Sequence, residues 1–217
     1  MLLVTVVCGG ACTLLPCYRT PDDAFARDTV RIDCCVRAGE TVELTYLGVG
    51  GWLLRAGDAA VLSAPLFSNP GLVETGLRPI GADPDAIDGA LRRLGADLSD
   101  VSAILSGHGH YDHLMDVPWI LEHRARRALL YANRTSWLQV EPFGLRRREL
   151  REKGDAARTL HPAPGDGRVV VVERAMAGDD VTEGRWIEVA PRVRIMPLRS
   201  HHAPHLAGIT LYSGTRT

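Results

Sequence analysis

Four side chains of metal-ligating types fall between positions 108 and 113 of this chain. They are His108, His110, Asp112 and His113, in the pattern H-x-H-x-D-H. Neutral imidazole and carboxylate oxygen both bind zinc and similar divalent cations. Residues two apart in an extended segment project to the same side, so His108 and His110 can chelate one ion. Asp112 and His113 follow after a turn and can face a second ion, the arrangement of two-metal hydrolases.

A single His-x-His pair is common and usually belongs to a surface or a turn. Here the four side chains follow directly on the apolar, strand-like run 101–105. The pattern therefore favours a metal centre over a chance grouping.

The same segment carries a family resemblance. Residues 108–114 resemble the signature of the metallo-β-lactamase fold superfamily. Tyr111, which precedes Asp112, is similar to the branch that holds ascorbate-phosphate lactonases and N-acylphosphatidylethanolamine-hydrolysing phospholipase D enzymes. Residues 44–54 and 62–68 resemble the opening strands and a later loop of that branch. The resemblance runs from about Glu40 to the last residue.

The resemblance implies an α/β fold, the metallo-β-lactamase-like αββα sandwich. It also implies a metal-dependent hydrolase that uses a metal-bound hydroxide on an ester, lactone or phosphodiester. The expected cofactor is zinc, as one or two ions, with manganese or iron as other candidates. The expected substrate is a small or lipid-like molecule.

The resemblance also assigns roles to individual residues. His108 and His110 would bind the first ion with a histidine of the segment 200–205, which resembles the family's next histidine motif. His202 matches the ligand position best, and His201 is the alternative.

The second ion would take Asp112 and His113. Asp112 would also orient the hydroxide or hold its proton as the catalytic carboxylate. The alternative for Asp112 is a plain N-cap of the helix that follows.

Two departures from the family pattern leave other functions open. Ala64 stands where the family usually carries an aspartate that orders the site from beneath. The chain ends at Thr217, before the bridging aspartate and last histidine of family members, which predicts a fold incomplete at its C-terminus. The alternatives are a non-catalytic metal-binding or lipid-anchored binding protein and an inactive fragment.

The charge balance gives no reason to expect a nucleic-acid partner. The formal net charge is −1, and the arginine-rich segments 124–127 and 146–153 are predicted to be solvated helix faces. In the second segment Glu149 and Lys153 stand four apart, the spacing of a helical surface pair.

The N-terminal segment 1–18 differs from the rest of the chain. It has no charged residue and holds three of the five cysteines, all of which precede residue 36. We predict a signal or lipoprotein segment at 1–18, a connector at 19–39 and the metallo-β-lactamase-like domain at 40–217. This organisation predicts a periplasmic or membrane-anchored bacterial lipoprotein. The alternatives are a buried N-terminal strand and a cytoplasmic location.

Hydrophobic patterning predicts strands separated by turns at both ends of the domain, with helices between them. A helix is expected from Asp83-Pro84 to a stop at Gly95, with Ile87, Leu91 and Leu94 on its apolar face. The remaining predictions are a loop at 69–81, one helix over 112–127, a helical or irregular segment at 136–153, and strands at 41–47, 51–55, 59–63, 101–105, 128–131, 169–172, 186–189, 192–198 and 209–212.

Overall fold

The computed structural model describes residues 2–8, 29–32, 41–152, 159–176 and 183–199. Thirteen strands form two sheets in this part of the chain. The strands are β1 Leu2–Cys8, β2 Thr29–Ile32, β3 Val42–Gly48, β4 Gly51–Ala56, β5 Ala59–Ser63, β6 Val101–Ser106, β7 Leu129–Ala132, β8 Arg147–Arg148, β9 Leu150–Glu152, β10 Thr159–Pro162, β11 Val169–Val171, β12 Trp186–Ala190 and β13 Val193–Arg199. The helices are α1 Leu72–Leu77, α2 Pro84–Leu94, α3 Tyr111–Leu114, α4 Val117–His123 and α5 Arg134–Val140, with two short 3₁₀ turns at Glu141–Phe143 and Val172–Ala175.

The larger sheet has the order β2-β3-β4-β5-β6-β7-β11-β8. Its first four strands pair antiparallel, and the strands from β5 to β8 in this order run parallel. The carboxyl ends of β5 and β6 therefore meet at one edge. The smaller sheet has the order β1-β13-β12-β10-β9.

Side chains alternate along the central strands and fill two cores. Leu130 and Ala132 of β7 pack with the helices, whereas Tyr131 packs with the smaller sheet. Strands buried on both faces read as continuous apolar runs, as at 101–105. The described residues thus form three layers, one of helices and two of sheet, and the prediction of a layered α/β fold is confirmed.

The helix predicted at Asp83-Pro84 has the expected ends. Asp83 accepts hydrogen bonds from Asp85 and Ala86 at its N-cap, and Gly95 closes the helix in the left-handed conformation. Ile87 and Leu91 are buried against the larger sheet.

The single helix predicted over 112–127 is wrong. The chain forms α3 and α4, with a break at Met115 and Asp116. Pro118 lies in the first turn of α4, where its missing N–H costs least, and it cannot donate to the carbonyl of residue 114. The Asp116 side chain turns inward instead of following the helix surface.

Two further expectations are corrected. The loop predicted at 69–81 contains the short helix α1. The arginine-rich segment 146–153 is not a helix face, because it holds strands β8 and β9. Glu149 there contacts Arg147 at 2.9 Å and Arg174 at 3.5 Å. The cluster 124–127 follows the end of α4, and Arg124 forms a bidentate pair with Asp88.

The segment 1–18 contributes β1, which pairs antiparallel with β13 from Leu2 to Cys8. This pairing does not test whether the segment is processed, so the signal or lipoprotein assignment stays a prediction. Within the described ranges, no helix has the length and apolar character needed to span a membrane. The strand predicted at 209–212 lies outside the described residues.

Candidate metal centre

The histidine loop, residues 107–110, joins the end of β6 to the start of α3. Ser106 is fully buried, and its hydroxyl donates to the carbonyl of His108 at 3.1 Å. The main-chain N–H of His113 donates to the carbonyl of His110 at 3.1 Å. A buried strand end and the first turn of a helix therefore fix both ends of the loop.

Three imidazole rings come together in this loop. Nε2 of His108 lies 2.9 Å from Nδ1 of His110. The ring centroid of His108 is 4.4 Å from that of His110 and 4.4 Å from that of His113. His108 is the most enclosed of the three, with 4% of its surface exposed.

Asp112 completes the cluster. Its Oδ2 lies 3.4 Å from Nε2 of His113, and both side chains are partly exposed. The four side chains lie in one region of the structure, and their assignment as metal ligands stays a prediction. The alternative role of Asp112 as an N-cap is wrong, because α3 begins at Tyr111 and His110 occupies the N-cap position.

The donor atoms are of types that bind a divalent cation, but their arrangement in the described residues is incomplete. Two imidazole nitrogens that face each other, with a carboxylate and a third imidazole beside them, are the ligand types that zinc binds. Within the described ranges, however, no three His, Cys, Asp or Glu side chains are arranged as ligands of one ion. The expected third ligand, His202 or its alternative His201, lies outside those ranges, so its placement stays a prediction.

Asp116 is a buried carboxylate that the sequence analysis did not single out. Its Oδ2 accepts the main-chain N–H of Phe67 at 2.7 Å and that of Ser68 at 2.9 Å, and its Oδ1 accepts the Ser68 hydroxyl at 2.6 Å. Ser68 in turn accepts the N–H of Asp83 at 2.7 Å. These bonds tie the loop after β5 and the start of α2 to the turn that follows His113. In the sequence, the only indication that Asp116 is buried is its position between the apolar residues Leu114 and Val117.

The ionisation of Asp116 predicts a pH-dependent stability. Burial, as the largest cause, raises the pKa of Asp116 above its ordinary value of 3.8, against the opposing effect of its hydrogen bonds. The folded state then holds the proton more tightly than the unfolded state. Its contribution to stability is fully present below pH 3.8 and is lost as the pH rises through the folded pKa.

We therefore expect the stability of the wild type relative to Asp116→Asn to fall as the pH rises from 3.5 toward neutrality. Urea unfolding of both proteins at several pH values in this interval measures the difference. A relative stability that increases with pH would show that the hydrogen bonds outweigh burial.

Ala64, at the expected aspartate position, has an unusual backbone. Its φ is +40°, and its N–H donates to the carbonyl of Leu105 at 2.9 Å, beside the strand that leads to the histidine loop. An L-residue with a Cβ is strained in this region, whereas glycine is not.

Ala64→Gly is expected to stabilise the protein by about 0.5 kcal/mol, because relief of the left-handed strain exceeds the added chain entropy. Ala60→Gly is the control, since Ala60 is fully buried and lacks a positive φ. That control should lose about 1 kcal/mol. Chemical denaturation measures both, and equal losses in the two variants would contradict a strained Ala64.

Two comparisons with known proteins found a similarity to this chain. A family model described as Metallo-beta-lactamase superfamily matches residues 70–216, which is more than half of the chain. Among solved structures, the chain is similar to Igni18, described as a novel metallo hydrolase from the hyperthermophilic archaeon Ignicoccus hospitalis. The identity is 18% and the TM-score 0.32, over 48% of this chain and 36% of that one. The chain spans little more than a third of that protein's length. No curated protein matches the chain.

Proposed function

Because this chain belongs to the metallo-β-lactamase superfamily, we propose that it is a metal-dependent hydrolase of an ester, lactone or phosphodiester bond. The observation that carries the proposal is the facing pair of ring nitrogens, Nε2 of His108 and Nδ1 of His110, 2.9 Å apart at the end of a buried strand. Membership in the superfamily supports the reaction class. The similarity to the lactonase and phospholipase D branch supports the bond types.

In this proposal His108 and His110 hold one cation together with His202 or His201. Asp112 and His113 serve a second cation. Zinc suits a set of imidazole and carboxylate donors, and manganese or iron are the other candidates. Such an ion supplies a water molecule whose pKa is lowered toward neutrality.

Asp112 is the group of the cluster best placed to handle a proton. Its carboxylate is partly exposed, so substrate and water can reach it, and it lies 3.4 Å from the ring of His113. We assign it the role of orienting the attacking water and accepting its proton at a carboxylate oxygen.

A second candidate function is non-catalytic metal or ligand binding on the same fold. Ala64 favours it, because an alanine cannot supply the carboxylate expected beneath the site. The two candidates differ in one measurable property, the turnover of a substrate.

The test is hydrolysis of chromogenic esters, a lactone and bis(p-nitrophenyl) phosphate by the purified chain. We expect turnover that is lost after chelation and restored by zinc or manganese. His161→Ala is a matched control, because His161 lies on β10 in the smaller sheet and contacts Glu188 instead of the cluster. A folded, metal-loaded chain that turns over none of these substrates would favour the binding function.

A further inference from the structure

A cavity of about 700 Å³ opens beside the histidine loop. Gly109 and Tyr111, which flank His110 in the chain, are among the residues that line it. Its other walls come from the loop at residues 80–82, the helices α3 and α4, and the chain from α5 to Leu145. Its volume lies in the range of small-molecule sites.

The cavity walls are mainly apolar. Leu114 and Val140 are buried core residues, whereas Phe143 is 70% exposed. Trp119 and Leu145, which are partly buried, complete the apolar surface. An exposed phenylalanine beside a cavity that is lined by buried apolar residues is the arrangement expected of a site that binds an apolar group of a ligand.

Two of the polar residues that line the cavity, Arg168 and Glu122, have other partners. Arg168 donates from Nε to the carbonyl of Ala128 at 2.9 Å and from Nη2 to that of Ala125 at 3.2 Å. The carboxylate of Glu122 is mostly exposed and lies 3.7 Å from His123. The amide of Gln139 packs so closely on Gly109 that a Cβ there would meet its Oε1 at 2.7 Å. Arg168 is thus bound to main-chain carbonyls of the wall, and the amide of Gln139 packs on Gly109.

We propose that this cavity is the subsite for an apolar group of the hydrolysed substrate, either an aliphatic chain or an aromatic ring attached next to the scissile bond. This inference rests on the proposed function and names the substrate class. Gly109 and Tyr111 line the cavity and are the chain neighbours of His110, whereas the four candidate ligands do not line it. Burial of its carbon atoms against Trp119, Phe143 and Leu145 supplies the binding free energy.

Two substitutions, called the fill variants, introduce a phenyl ring at the cavity wall. Gly81 lines it, lacks a positive φ and has no atom within 4 Å of an added Cβ, so Gly81→Phe introduces a ring without a clash at the Cβ. Ala82→Phe introduces the same ring at the next position of the same loop. Gly76→Phe is the matched control, since Gly76 in α1 is equally open and does not line the cavity.

The first readout is independent of catalysis. Binding of the neutral fluorophore N-phenyl-1-naphthylamine is titrated with the full chain and with each variant. We expect at least one fill variant to weaken binding by about tenfold or more and the control to bind as the wild type does. Unchanged binding in both fill variants would overturn the proposal. A change of oligomeric state in size-exclusion chromatography that accompanies the lost binding would also overturn it, because the cavity would then be a contact between copies of the chain.

The second readout separates this inference from the proposed function. We expect the ratio of kcat/KM for p-nitrophenyl octanoate to that for p-nitrophenyl acetate to fall by about tenfold in the variant that loses the fluorophore. Lost fluorophore binding in a chain that hydrolyses no ester supports an apolar ligand site in the cavity and contradicts its role in hydrolysis. If the chain hydrolyses esters and the variant that loses the fluorophore keeps the wild-type ratio of kcat/KM for octanoate to that for acetate, the subsite is contradicted and the hydrolase is not.

Discussion

His110→Ala is expected to lower the rate of hydrolysis by more than about 100-fold, the upper range seen for lost residues that only support a metal ligand. The imidazole of His110 faces that of His108 at 2.9 Å, so its removal leaves half of the donor pair. We expect His108→Ala, and the double variant, to lose about the same activity, because ligands of one ion act as a unit.

The control for this prediction is His161→Ala. His161 lies on β10 in the smaller sheet, 3.9 Å from Glu188, and should retain the activity of the wild type. Initial rates with the best substrate, at matched protein concentration and added zinc, provide the comparison. Additive losses in the double variant, or activity retained by His110→Ala, would contradict a shared ion at His108 and His110.

Asp116→Ala is expected to lower the free energy of unfolding by about 3 kcal/mol or more. The substitution removes the acceptor of three hydrogen bonds, from the main chain of Phe67 and from the main chain and hydroxyl of Ser68. The carboxylate is fully buried, so water cannot replace it without reorganising the loop. Urea denaturation of the metal-free proteins measures this loss.

Asp116→Asn is the matched variant. Its amide oxygen can still accept both main-chain N–H groups, and only the acceptor for the Ser68 hydroxyl is lost. We expect a smaller cost of about 1 kcal/mol near neutral pH. If alanine and asparagine at this position cost the same, the loop bonds to Phe67 and Ser68 do not stabilise the fold.

Most strands and helices around the histidine cluster could be predicted from local sequence patterns. The turns after β3 and β4 contain glycine, the run 101–105 is apolar throughout, and α2 carries its own cap residues from Asp83 to Gly95. Such signals act within a few residues of each other, so one sequence is enough to find them. The grouping of His108, His110, Asp112 and His113 followed from the same short range.

Long-range contacts were not predictable in this way. At the break between α3 and α4, the Asp116 side chain turns inward to bind Phe67 and Ser68. These two partners lie almost fifty residues away in the chain. The strands β8 and β9 hold charged residues in a pattern also compatible with a helix, and pairing with β11 and β10 decides the outcome. The cavity beside Gly109 likewise forms only when four separate segments meet.

The most direct test of the account is the metal content of the purified full chain, measured by elemental analysis after removal of free ions. The His108→Ala, His110→Ala double variant and the His123→Ala control are measured beside it. The account predicts about one or two equivalents of zinc or manganese in the wild type and the control, and loss of the metal in the double variant. A folded, monodisperse wild type that binds no added zinc or manganese would contradict the metal centre and the hydrolase built on it.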